Sequence, residues 1–182
     1  MKELTRTAIV TGGGRGIGKA VVDRLAKDGF AVIFTYEKDD EAARVVETFH
    51  SNAGHTVKAV KADQGDTAAI ASLFNVASEW FPAGDGRFLD ALVCSAGVIE
   101  HAPIETVTPE MFDRVMTVNA RGTFFTLQQA GRAMRDNGRI VCISTIGTAW
   151  PSPGEAVYAA SKAAVEQFAR VSSREWGRRV SA

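Results

Sequence analysis

Tyr158 and Lys162, in Tyr158-Ala-Ala-Ser161-Lys162, form the most reactive pairing in the chain. Residues four apart on a helix share one face, so this phenol and ammonium can serve a single site. A nearby cation favours phenolate and draws the phenol toward a useful range for general acid–base work. The competing reading is an interfacial tyrosine beside a solvated lysine. Chain context favours chemistry, because a glycine-rich turn and a hydroxyl-rich strand end, Ser144-Thr145, precede the pair. The turn reads Thr11-Gly12-Gly13-Gly14-Arg15-Gly16-Ile17-Gly18, with a strand-like run before it and a helix-like stretch after. Glycine lets backbone turn tightly against a pyrophosphate, and a helix N-terminus offers free N–H groups and a positive dipole end. A plain tight turn is the bland alternative.

The remaining reactive side chains carry less. His50, His55 and His101 have no ligand spacing, and neither do Cys94 and Cys142, so no metal is expected. His101 follows Gly97-Val98-Ile99-Glu100 at a strand end and either lines a substrate mouth or is an ordinary loop histidine. Two isolated cysteines in strand-like runs read as buried, reduced thiols, which makes the cytoplasm the expected compartment. Lys+Arg and Asp+Glu both number 21, a balance that argues against a nucleic-acid surface or a polybasic membrane patch. Apolar runs such as Phe30 to Phe34 are strand-sized, too short to span a bilayer, and residues 1–10 hold no apolar signal core.

Positioning these groups requires alternating elements. Strands are predicted at Thr7–Val10, Ala31–Tyr36, Thr56–Lys61, Leu89–Cys94 and Arg139–Ser144. Helices are predicted at Ile17–Asp28, Asp40–Asn52 and Thr67–Trp80, the last with Thr67 as N-cap. A long helix opens at Pro109 and runs toward Arg135, and another covers Val157–Trp176. This alternation predicts an α/β fold, a doubly wound parallel sheet of Rossmann type, in a single nucleotide-binding domain over residues 1–182. Ligands of such sheets bind at the carboxyl ends of the strands, where every motif above falls.

The spacing Gly12, Gly16, Gly18 is TGxxxGxG and not the commoner GxGxxG. With Tyr158-xxx-Lys162 in the expected order, the chain resembles the classical short-chain dehydrogenase/reductase family, its 3-oxoacyl-carrier-protein reductases in particular, over essentially all 182 residues. The resemblance implies that Gly12, Arg15, Gly16, Ile17 and Gly18 surround the cofactor phosphates. It sets Asp63 against adenine, although Asp63 also reads as a turn or cap residue. An acid at the end of the second strand would hold an NAD ribose; Tyr36 stands there, with Glu37 adjacent. Arg15 and Lys38 could approach a 2′-phosphate, so NADP is favoured and NAD remains possible, with Lys38 equally readable as surface charge.

The same resemblance assigns Tyr158 as the acid–base and has Lys162 hold the nicotinamide ribose. A hydroxyl thirteen residues before the tyrosine binds the carbonyl oxygen, which selects Thr145, with Ser144 as the alternative. Asn119, in Val118-Asn119-Ala120-Arg121-Gly122, orders a proton-relay water through a local helix distortion. Asparagine and glycine are poor mid-helix residues, which fits such a purpose. The family's NNAG is here Cys94-Ser95-Ala96-Gly97, so Ser95 and Gly97 approach the cofactor without the asparagine contacts. The implied activity is hydride transfer between NADP(H) and a small-molecule carbonyl or alcohol, by a homodimer or homotetramer. The alternative is a catalytically incompetent nucleotide-binding remnant or interaction module. The family continues past the position of Ala182, so the domain is expected to lack the last strands of that fold. A chain ending there is expected to be poorly soluble or oligomeric and to reduce carbonyl substrates negligibly.

Overall fold

A computed structural model of the chain describes residues 6–81, 86–177 and the backbone of 180–181. The elements follow the expected alternation: β1 Thr7–Thr11, α1 Gly16–Lys27, β2 Ala31–Tyr36, α2 Asp40–Asn52, β3 Val57–Lys61, α3 Thr67–Trp80 and β4 Leu89–Cys94. There follow α4 Pro109–Val115, α5 Gly122–Ala133, β5 Met134–Cys142, α6 Ala156–Trp176 and a two-residue β6, Val180–Ser181. All strand pairs are parallel, in the order β3-β2-β1-β4-β5-β6. Strand order reverses between β1 and β4, and that junction opens the crevice in which such sheets hold ligands.

Side chains alternate across each strand, so two cores form. Val10, Val32 and Phe34 meet Val22 and Val46 under α1 and α2. Ile9, Ile33 and Leu92 meet Ile70, Leu73 and Leu127 under α3 and α5. Burial on both faces is what makes these strands apolar throughout. Among the described residues no helix is long and apolar enough to cross a membrane.

Most boundaries fall within a residue of expectation, and the informative departures are these. Asp66, not Thr67, caps α3, its carboxylate accepting from the Ala68 amide at 2.8 Å. A carboxylate accepts more strongly than a hydroxyl here, and it also faces the positive end of the helix. The long helix from Pro109 carries the distortion expected around Asn119, a π-helical segment over Met116–Arg121, but stops early, at Ala133. β5 starts early, at Met134, and its register against β4 breaks between Leu89 and Ala91. Asn137, at φ 66°, takes the left-handed conformation in that irregular stretch. β5 also ends at Cys142, leaving Ser144 and Thr145 beyond the strand. Finally, Cys94 and Cys142 are not isolated, because the β4–β5 register sets one opposite the other.

Candidate active site

The glycine turn is shaped by its neighbours. Gly12 sits at φ +69°, and a Cβ on Gly18 would lie 2.2 Å from the Gly12 carbonyl oxygen, so α1 can start this close to β1 only without a side chain there. The end of β2 pins the turn: the Gly12 amide donates to Thr35 Oγ1 at 3.0 Å and the Gly13 amide to the Thr35 carbonyl at 2.9 Å. Across the crevice, Thr11 Oγ1 accepts from the Ser95 and Ala96 amides, both at 3.1 Å. That hydroxyl steadies the loop after β4 where the asparagines of NNAG are missing. Thr11 and Thr35 were not singled out from sequence; hydroxyl residues ending strands beside a glycine turn are the signal for them.

The helix α1 differs from its neighbours at its N-terminus. Asp39 caps α2 and Asp66 caps α3, whereas α1 has no side-chain cap and no acid in its first turn. Its orphan N–H groups and dipole end therefore stay available to an anion. Arg15 and Ile17 are exposed here, and among the described residues Arg15 has no carboxylate partner. Lys38 is exposed and pairs with Glu37 at 3.0 Å. Tyr36 donates its hydroxyl to Asp40 Oδ1 at 3.0 Å, and Lys61 bonds both oxygens of the same carboxylate. The Lys61 and then the Tyr36 hydrogen bonds hold Asp40 below the usual carboxylate range. Asp63 is exposed, and its Oδ1 accepts from the Gly65 amide at 2.7 Å, so it holds the turn after β3.

Tyr158 lies half-buried in the first turn of α6, and Lys162 follows one turn later with only 5% of its surface exposed. Lys162 Nζ donates to the Ile143 carbonyl at 2.8 Å and stands 6.0 Å from the Tyr158 ring centre. It also lies 3.4 Å from where a Cβ on Gly97 would be. The ammonium thus sits at the carboxyl ends of β4 and β5, beside Gly97. Burial depresses its pKa, opposed by the Cys142 and Cys94 thiols beside it.

Asn119 is fully buried inside the π-helical segment. Its Oδ1 accepts from the Val98 amide at 2.8 Å, and its Nδ2 donates to the Val98 carbonyl at 2.8 Å and to Ser161 Oγ at 3.0 Å. Ser161 in turn donates to the Tyr158 carbonyl at 2.7 Å. Asn119 therefore fastens the loop after β4 to α6, directly beneath Tyr158 and Lys162. Both Nδ2 protons are spent on this work. The distortion also brings Gly122 against the loop after β3, where a Cβ would lie 2.0 Å from the Gln64 carbonyl oxygen.

The two candidate hydroxyls separate. Ser144 Oγ donates to Glu166 Oε1 at 2.6 Å, and Thr148 donates to the same oxygen at 2.7 Å. Those bonds hold Glu166 below the usual carboxylate range. Thr145 Oγ1 accepts from the Gly147 amide at 3.2 Å and keeps its own proton free among the described residues. Glu166, one turn beyond Lys162 on α6, was not anticipated as the partner of Ser144.

The histidines divide as well. His101 is exposed, with Nδ1 3.7 Å from Glu155 Oε1 at the start of α6. His50 is wholly buried between α1 and α2, with Nε2 2.9 Å from Asp23 Oδ1 and Nδ1 3.2 Å from His55. Among the described residues no three His, Cys, Asp or Glu side chains gather as a metal site.

A family model described as short chain dehydrogenase matches residues 6–181. The chain is 38% identical to versicolorin reductase stcU of Emericella nidulans over 167 residues, which are 91% of this chain and 61% of that protein. It is 37% identical to the trihydroxynaphthalene reductase PfmaI of Pestalotiopsis fici, over 94% of this chain and 60% of that protein. A short chain dehydrogenase of Burkholderia cenocepacia, solved in complex with NADP, superposes at a TM-score of 0.89 and 36% identity, over 97% of this chain and 71% of that one. The chain thus spans about three fifths of the length of these curated relatives.

Proposed function

Because the chain belongs to the short-chain dehydrogenase family, we propose that it is an oxidoreductase moving a hydride between NADP(H) and a carbonyl or alcohol, with Tyr158 as the general acid–base. The observation that carries this is the buried Lys162 ammonium, anchored on Ile143 and facing Gly97, one helical turn from Tyr158. An uncapped α1, the pinned glycine turn and an unpartnered Arg15 form a donor set that fits a dinucleotide phosphate. Bound there, the nicotinamide supplies or accepts the hydride.

The chain's own residues do the rest. Gly12, Arg15, Gly16, Ile17 and Gly18 hold the phosphates, with Lys38 and Arg15 near a 2′-phosphate and Asp63, Ser95 and Gly97 along the remaining cofactor surface. Lys162 holds the ribose and tunes Tyr158. In the reductive direction the Tyr158 hydroxyl gives its proton to the substrate oxygen, and in the oxidative direction the phenolate takes it back. Thr145 donates its free O–H to the same oxygen, stabilising charge as it develops. Asn119 sets the mutual position of these parts through Val98 and Ser161. Two relatives are reductases by name, which supports a carbonyl substrate without identifying it.

The test is NADPH and NADH oxidation by the intact protein over a panel of ketones and aldehydes. Turnover is expected, faster at limiting NADPH than at limiting NADH. Tight NADPH binding with no turnover of any carbonyl would favour the interaction-module reading instead.

A further inference from the structure

Cys94 and Cys142 take no part in the hydride-transfer machinery, and their distance in sequence hides their proximity. They occupy matched positions at the carboxyl ends of the neighbouring parallel strands β4 and β5. In-register residues point to the same face, and both side chains pack with the core under α3 and α5. Adjacent strands lie about 4.8 Å apart, within the separation of about 4.4–6.8 Å that a disulfide spans between Cα atoms. We propose that Cys94 and Cys142 form a peroxide-oxidisable dithiol, and that closing its disulfide disables the cofactor site around Lys162.

Access and reactivity divide the roles. Cys94 is buried, whereas Cys142 is half-buried. The hydrogen bond from Cys94 holds the Cys142 thiol below its ordinary value, against burial and with help from the Lys162 charge. The same hydrogen bond, and then burial, pushes Cys94 up. Cys142 is therefore the attacking thiolate and Cys94 the resolving thiol.

The Cys142 sulfur attacks one peroxide oxygen; the O–O bond breaks, the released hydroxide leaves as water after protonation, and Cys142 becomes a sulfenic acid. The Cys94 sulfur then attacks the Cys142 sulfur, the S–O bond breaks, and a second water leaves with the Cys94 proton. Two thiols and one peroxide yield one disulfide and two waters. The bond pulls together the Cβ atoms of two neighbouring strand ends that carry parts of the site. Ile143, whose carbonyl anchors Lys162, follows Cys142 directly, and Ser95, whose amide rests on Thr11, follows Cys94. Parallel strands do not bring Cβ atoms as close as an ideal disulfide needs, so the bridge is strained and easily reduced.

The consequence for the site rests on the reductase reading; the bond itself does not. The experiment treats the reduced intact protein with graded hydrogen peroxide. It reads disulfide-linked peptides by mass, NADPH affinity by titration, and turnover. The expected result is a Cys94–Cys142 linked peptide, loss of two hydrogens, and a fall in turnover of about a hundredfold, as for an angstrom-scale misplacement. NADPH affinity falls with it, and dithiothreitol restores both. In Cys94→Ser, Cys142 is expected to overoxidise with no linked peptide. Overoxidation of Cys142 without a link in the wild-type protein overturns the dithiol. A complete link that leaves NADPH affinity unchanged overturns the switch, whether or not any carbonyl is turned over.

Discussion

Ser144 and Thr145 show how much one residue of offset matters. Both offer a hydroxyl, but Ser144 spends its proton on Glu166 while Thr145 is held by the Gly147 amide and keeps its proton to give. Replacing Thr145 with Ala is expected to lower kcat by about two orders of magnitude, the usual cost of one lost donor to a developing oxyanion. Ser144→Ala should leave kcat within a few-fold of that of the parent protein. Steady-state kinetics of the two variants checks this, and the reverse ranking moves the hydroxyl role to Ser144. The residue types and spacing of Tyr158, Lys162 and the glycine turn were legible because they are local in sequence. The partners were not. Nothing in the order of residues shows Asn119 fastened to Val98 and Ser161, His50 buried on Asp23, or Cys94 beside Cys142. Those contacts arise from register and packing between elements far apart in the chain.

Among the elements, α6 carries the proposed acid–base pair on one side and an anchor on the other. Lys162 faces Gly97 one turn after Tyr158, and Glu166, a turn further on, gathers the Ser144 and Thr148 hydroxyls and so holds the segment bearing Thr145. Hydrogen bonding favours the ionised carboxylate, so the folded pKa of Glu166 lies below its unfolded value. A depressed acid contributes stability above the unfolded pKa and loses it as pH falls through the folded one. Glu166→Gln is therefore expected to lower the urea midpoint at neutral pH, with the gap closing as pH drops below the ordinary glutamate range. Paired urea titrations across pH check it; a gap that widens in acid contradicts the assignment. Strand and helix spans were legible in outline because the sheet is buried on both faces and each helix keeps its period. The exceptions were local conflicts. The early end of α5 and the irregular stretch of β5 around the left-handed Asn137 are where the pattern failed.

The molecule as a whole joins two cores across one parallel sheet, and its strand ends converge on a single crevice. The α/β alternation made that architecture legible, since strand order and crossover chirality leave few alternatives for repeated strand–helix units. We propose that the outer faces of α5 and α6 pair across a two-fold axis in a homodimer or homotetramer. Phe124 on α5 and Val171 on α6 are exposed apolar residues there, and symmetric homo-oligomers are the common case. Sedimentation at micromolar concentration should give a dimer or tetramer, and monomer alone counts against the pairing. The central claim, that Tyr158 moves the proton while the glycine turn and Lys162 hold NADP(H), is tested most directly by Tyr158→Phe. Its kcat and its NADPH dissociation constant are to be measured side by side with those of the intact parent protein. The account predicts a loss in kcat of about two to four orders of magnitude, the range of general acid–base catalysis, with NADPH affinity unchanged within a few-fold. Turnover close to that of the parent protein would contradict it.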